Sequence, residues 1–228
     1  RELDLLASGR LVQRADAILF TGGSALGLRA ADGVVEALRA VGRGIPTPAT
    51  PVPIVPAAVI YDLAVGEPVA PSAEDGSAAW RAARALPIRP GRTRGRGGVG
   101  IAQVAVLGGS VIAIAVVNAF GVVMPGDDPR PTVLAAPPAA APFGQNTTLV
   151  AVITDLACGH DLLQRLCVAA HDGIARAIVP AHTVVDGDVA FASTTTEGLE
   201  EPALRLHLPI AAELAVERAI RQGAGVAS

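Results

Sequence analysis

Asn146-Thr147-Thr148 joins a Pro- and Ala-rich run, DDPRPTVLAAPPAAAPFG, to a strand-like run, TTLVAVITD, that ends at Asp155. A threonine hydroxyl is a poor nucleophile unless a base lies beside it. One economical base is the residue's own α-amino group, whose ordinary pKa of about 7.7–8.0 lies near working pH. That amine exists only if the chain is cut just before the threonine. The hydroxyl itself can make the cut: it attacks the preceding carbonyl, an ester replaces the amide, and water releases it. The loose segment before Asn146 supplies slack for this step, and the strand after Thr147 supplies a rigid anchor. Alone the triplet is weak evidence, because threonine favours strand starts in any case.

Other residues with chemical potential lead away from familiar sites. LFTGGSALGL has the look of a strand–glycine–helix nucleotide site, but Gly22, Gly23 and Gly27 are not spaced as GxGxxG. Leu28-Arg29 stands where a P-loop has Lys-Ser/Thr, and no acidic residue closes a following strand at the ribose position. A nucleophile elbow centred on Ser24 would need glycine where Leu26 stands. A tight turn with close helix–strand packing accounts for these glycines. His160, His171, His182 and His207 lack metal-ligand spacing, and His171, beside Asp172, is expected to be a partly buried, hydrogen-bonded helix residue. Cys158 and Cys167 show no CxxC spacing and read as reduced, partly buried thiols, which fits a cytoplasmic protein. No metal or other cofactor is implied.

The elements that must hold these residues follow from composition and period. Of 228 residues, 51% are hydrophobic and only 3% aromatic, so Val, Ile, Leu and Ala must fill the core of what is expected to be one domain. Such residues suit layered sheets and helices. A net charge of −3 argues against nucleic acid, and the basic run RPGRTRGRGG (Arg89 to Gly98) has no interleaved aromatics for base stacking. The uncharged stretch from Gly97 to Gly126 is long enough for a membrane helix. However, Gly108-Gly109 splits it into two β-branched runs, as a hairpin turn would, so no membrane partner is expected.

A strand is expected over Ala15 to Phe20, then a helix from Ser24 whose face is Leu28, Ala31, Val35, Leu38 and Val41. Gly42 and Gly44 stop that helix, and Pro46 to Pro56 forms an extended connector. After the hairpin, a strand covers Thr148 to Ile153. A helix with the face Leu163, Leu166, Ala170, Ile174 and Ala177 follows, then a strand over Val189 to Ser193. A last helix runs from Ile210 to Arg221 with Pro209 in its first turn. Paired strands with helices outside them make a layered α/β sandwich.

The series LFTGGSALGLRAADGV, VPIVPAAVIYDL, VVNAFG, NTTLVAVITD, AAHDGIARAI and PAHTVVDGD occurs in that order, within Arg1 to Thr196. This series resembles the L-aminopeptidase/D-esterase family of self-cleaving N-terminal-nucleophile hydrolases, whose relatives include the nylon-oligomer hydrolases. The resemblance implies an αββα sandwich of N-terminal-nucleophile type with a family-specific chain order. It also implies one hydrolase domain over 1–228, cut into an α chain (1–146) and a β chain (147–228). These fragments stay together and form a homo-oligomer of the pair. Implied substrates are small peptides with a free N-terminus, D-amino-acid amides or esters, or short oligoamides.

Carried over residue by residue, Thr147 matches the nucleophile and Asp186 and Asp188 match an acidic pair that orients and activates it. These two flank Gly187 at i and i+2, so in an extended chain both carboxylates face one side, and one of them is expected to hold a proton near neutrality. Asn118 matches an amide donor to a developing oxyanion. Tyr61 matches a pocket tyrosine, and Arg96 takes the place of a lysine found in many relatives near the site. Arginine keeps the electrostatic contribution there and loses any proton transfer. The chain opens on Arg1, without Met, in a motif that follows further strands in the family, so processing or truncation and an exposed sheet edge are expected. Two other functions stay open: acyl transfer on the same fold, and a non-catalytic module that keeps the fold to bind a partner.

Overall fold

The structure is a computed structural model that describes residues 1–83, 91–92, 97–126 and 146–226. The chain divides into two compact units, Arg1–Ile88 and Arg89–Ser228.

In the first unit, β1 (Leu19–Thr21) lies parallel to β2 (Ala57–Val59). Parallel neighbours need a crossover, and it includes a 3-10 turn, Ser24–Arg29, and helix α1 (Ala30–Ala40). The glycines after β1 act by packing, as the sequence suggests. A Cβ on Gly27 would lie 1.8 Å from the Gly22 carbonyl oxygen, and Gly23 has φ 79°. That tight entry delays the α-helix from Ser24 to Ala30. It also shifts the apolar face, so that Val34 is buried with Ala31 and Leu38 while Val41 is exposed. Helix α2 (Ala73–Ala82) has no apolar periodicity to announce it. Its signal is a capping box, in which the Ser72 hydroxyl accepts from the Asp75 amide at 3.2 Å and the Asp75 carboxylate accepts from the Ser72 amide at 2.8 Å.

The second unit runs β3 (Gly91–Arg92), β4 (Gly98–Val106), β5 (Gly109–Asn118), β6 (Val122–Val123), β7 (Thr147–Thr154), α3 (His160–Ala177), β8 (Ile178–Val179), β9 (Val189–Thr194) and α4 (Leu204–Ala224). One sheet has the order β3-β4-β5-β7-β9 and is antiparallel except between β7 and β9; β6 pairs with β8. The uncharged stretch is therefore a hairpin. It turns at Leu107-Gly108, where φ is 45° and 84°, and Gly109 already pairs with Val106. The turn thus lies one residue earlier than expected, because two positive-φ positions in succession are what a two-residue hairpin turn needs. Among the described residues, no helix is long and apolar enough to cross a membrane.

Alternation along β5 sends Val111, Ala113, Ala115 and Val117 to one face, where Val150 and Val152 of β7 join them. Leu166, Ala170 and Ile174 of α3 and Leu208, Ala212, Val216 and Ile220 of α4 cover that face. Helix α4 starts at Leu204, earlier than expected, because Leu204 and Leu208 continue its buried face back past Pro209. Packing thus overrides a proline that removes one helical hydrogen bond.

Candidate active site

Thr147 opens β7, and its position is fixed from both sides. The antiparallel register pairs it with Asn118, the last residue of β5, so both side chains stand on the same face of the sheet. That face is opposite the one where Val117 and Val150 meet the helices. On the other flank, β7 and β9 are parallel with an offset of 40 residues (189 − 149), and the bridge between Asn146 and Asp186 keeps that offset (186 − 146). Asp186-Gly187-Asp188 therefore runs alongside Asn146-Thr147-Thr148.

The hydrogen bonds converge on one carbonyl. The Gly187 amide donates to the Asn146 carbonyl oxygen at 2.9 Å, and the Thr147 hydroxyl donates to the same oxygen at 2.6 Å. Thr147 is buried, with 6% exposure. A Cβ on Gly187 would lie 3.1 Å from Thr147 Oγ1, so the glycine leaves the hydroxyl its room. The neighbouring Thr148 hydroxyl is buried without a hydrogen-bond partner among the described residues. Of the two threonines, Thr147 is the one that addresses the carbonyl.

The carboxylates divide the work of holding this geometry. Asp186 accepts from the Thr183 amide at 3.1 Å, the Thr183 hydroxyl at 2.6 Å and the Phe120 amide at 3.2 Å. It ties the turn before β9 to the chain just past Asn118. Asp188 accepts from the Thr148 amide at 2.7 Å through Oδ1 and lies 2.8 Å from His182 Nδ1 through Oδ2. The two carboxylates take separate donors, because the strand register gives each its own.

His182 is the residue the sequence reading left without a role. It has φ 54°, and its Nε2 lies 3.2 Å from the His171 carbonyl oxygen. The two rings meet edge-on with centroids 4.9 Å apart. Burial, and then the charge on His182, lower the pKa of the His171 ring below the ordinary histidine value. The signal that could have found His182 is its place in Pro180-Ala181-His182-Thr183, two residues ahead of the Asp-Gly-Asp turn.

The structure thus brings together Asn118, Asn146, Thr147, Asp186 and Asp188. Tyr61 follows β2 in the first unit and is partly buried; Arg96 lies outside the described residues. Cys158 and Cys167 are free and partly buried, as expected, and burial pushes the Cys158 thiol up to about 11.

Known proteins resemble this chain in both sequence and fold. A match to the family described as "Peptidase family S58" covers residues 1–224. An uncharacterized aminopeptidase of Mycobacterium tuberculosis (strain ATCC 25618 / H37Rv) is 38% identical over 229 residues, covering 86% of this chain and 66% of its own length. One from Mycobacterium leprae (strain TN) is 36% identical over 247 residues, covering 92% and 68%. The chain therefore spans about two thirds of the length of these relatives. Among solved structures, a Burkholderia sp. beta-aminopeptidase is similar with a TM-score of 0.59 at 22% identity, over 89% of this chain and 64% of that one. The l-aminopeptidase d-ala-esterase/amidase of Ochrobactrum anthropi, described as a new variant among the ntn hydrolase fold, has a TM-score of 0.55 at 19% identity, over 84% and 62%. The N-terminal-nucleophile fold expected from the sequence is borne out.

Proposed function

Since the chain belongs to peptidase family S58, we propose that it is a self-processing amide hydrolase with Thr147 as its nucleophile. The observation that carries this reading is the convergence of the Thr147 hydroxyl and the Gly187 amide, at 2.6 and 2.9 Å, on the oxygen of the Asn146–Thr147 peptide. In the first stage Thr147 Oγ1 bonds to the Asn146 carbonyl carbon and the peptide C–N bond breaks. Charge developing on the carbonyl oxygen meets the Gly187 N–H, with Asn118 on the same face as the candidate second donor. The hydroxyl proton goes to the departing nitrogen, which becomes the Thr147 α-amine. Water then hydrolyses the ester, leaving Asn146 with a carboxylate and Thr147 with its hydroxyl restored.

In the second stage the same hydroxyl attacks a substrate amide or ester. The α-amine takes the hydroxyl proton and passes it to the leaving group, and water clears the acyl-threonine. Once Asn146 is cut free, the Gly187 N–H is available to a substrate carbonyl. Asp186 and Asp188 hold the two backbones in line, while Tyr61 and Arg96 are the candidate substrate contacts by family resemblance. Likeness to named aminopeptidases supports small peptides with a free N-terminus and amino-acid amides or esters as substrates. The domain would work in the cytoplasm as associated fragments 1–146 and 147–228, assembled into a homo-oligomer of the pair.

Substitution of the nucleophile tests the reading. Wild-type protein should show two bands on a denaturing gel and hydrolyse an amino-acid p-nitroanilide, whereas Thr147→Ala should run as one uncut chain with turnover at background. A Thr147→Ala protein that still divides at this bond would exclude the mechanism.

A further inference from the structure

We propose that His182 is a positioning residue of this site, whose ring anchors Asp188 and, through Asp188, the backbone that presents Thr147. The inference rests on the reading of Thr147 as nucleophile. Asp188 is nearly enclosed, with 5% side-chain exposure, and its two oxygens have different partners: the Thr148 amide at 2.7 Å and His182 Nδ1 at 2.8 Å. The other ring nitrogen of His182 faces the His171 carbonyl oxygen at 3.2 Å. Each nitrogen of the His182 ring thus faces an oxygen that can accept a hydrogen bond. Loss of the ring would leave one Asp188 oxygen without this partner.

The backbone points the same way. A φ of 54° is uncommon for a residue other than glycine. Such a conformation persists when the surroundings hold it, and here the two hydrogen bonds and the edge contact with the His171 ring do so. The titratable groups around the ring are Asp188 before β9, His171 on α3, Asp172 beside His171, and Asp186, reached through Thr183. Burial disfavours the charged form of His171.

Replacement by glycine makes the test clean. Glycine relaxes the positive φ, and the ring it removes is 36% exposed, so free imidazole can enter the gap. We would follow self-cleavage by intact mass in full-length protein made by cell-free translation, and kcat and KM on an amino-acid p-nitroanilide. His182→Gly should cleave and turn over about tenfold more slowly or worse, with KM unchanged. Imidazole at millimolar concentration should restore both rates while leaving wild type unaffected. His182→Asn, which tolerates the left-handed backbone and keeps one donor, should fall between the two. Wild-type rates in His182→Gly, or a deficit that imidazole does not relieve, would overturn the assignment. A wild-type chain that never divides at Asn146–Thr147 removes the Thr147 reading, and this inference with it, before any variant is made.

Discussion

Gly187 lies against the Thr147 hydroxyl, where a Cβ would come within 3.1 Å of Oγ1. The same residue donates its amide to the carbonyl that the hydroxyl addresses. An added methyl leaves the donor in place and crowds the nucleophile. Gly187→Ala should therefore slow self-cleavage about tenfold while changing folding stability by less than about 1 kcal/mol. Mass spectrometry against time, beside urea unfolding of the uncut Thr147→Ala background, separates the two effects; equal cleavage rates would show that the crowding is harmless. At this scale the sequence was informative where residue type decides chemistry. Thr147 before a strand and the Asp186-Gly187-Asp188 turn stand out as types, and the strand register does bring them side by side. The roles of the Gly187 amide and the His182 ring did not stand out, since a backbone amide and a ring become meaningful only once β7 and β9 are in register.

Helix α4 joins the sheet through a buried charge cluster as well as its apolar face. Arg221 Nη1 lies 2.7 Å from Glu217, each with 8% side-chain exposure, and Arg221 Nε donates to the Met124 carbonyl at 2.9 Å. Arg176 of α3 donates to the other Glu217 oxygen at 2.9 Å. Burial alone would raise the Glu217 pKa, but the Arg176 hydrogen bond and the Arg221 charge outweigh it and hold it below the ordinary value. A carboxylate depressed in the folded state contributes stability above its unfolded pKa and loses it as pH falls through the folded one. Arg221→Met should destabilise at neutral pH toward the low end of about 3–5 kcal/mol, because Arg176 still serves Glu217. Chemical unfolding at pH 7 and at pH 4 would check this. The variant's deficit should shrink at the lower pH, and a deficit of the same size at both would show that Glu217 charge is not its source. Element existence was readable from period, while element ends were not. Leu204 and Leu208 extend α4 past Pro209, and α2 is announced by its Ser72–Asp75 cap rather than by apolar spacing.

Across the whole molecule, family membership was legible because six short motifs occur in one order, and no single one of them carries it. The division into units at Ile88 was not legible, since contacts between segments far apart in sequence set it. The central claim also belongs to this scale, because one bond decides whether the mature protein is one chain or two. N-terminal sequencing of the purified, active full-length protein tests it directly. We predict two N-termini, one of them reading Thr147-Thr148-Leu149-Val150. Active protein with a single N-terminus, and an intact mass equal to the uncut chain, would contradict the account.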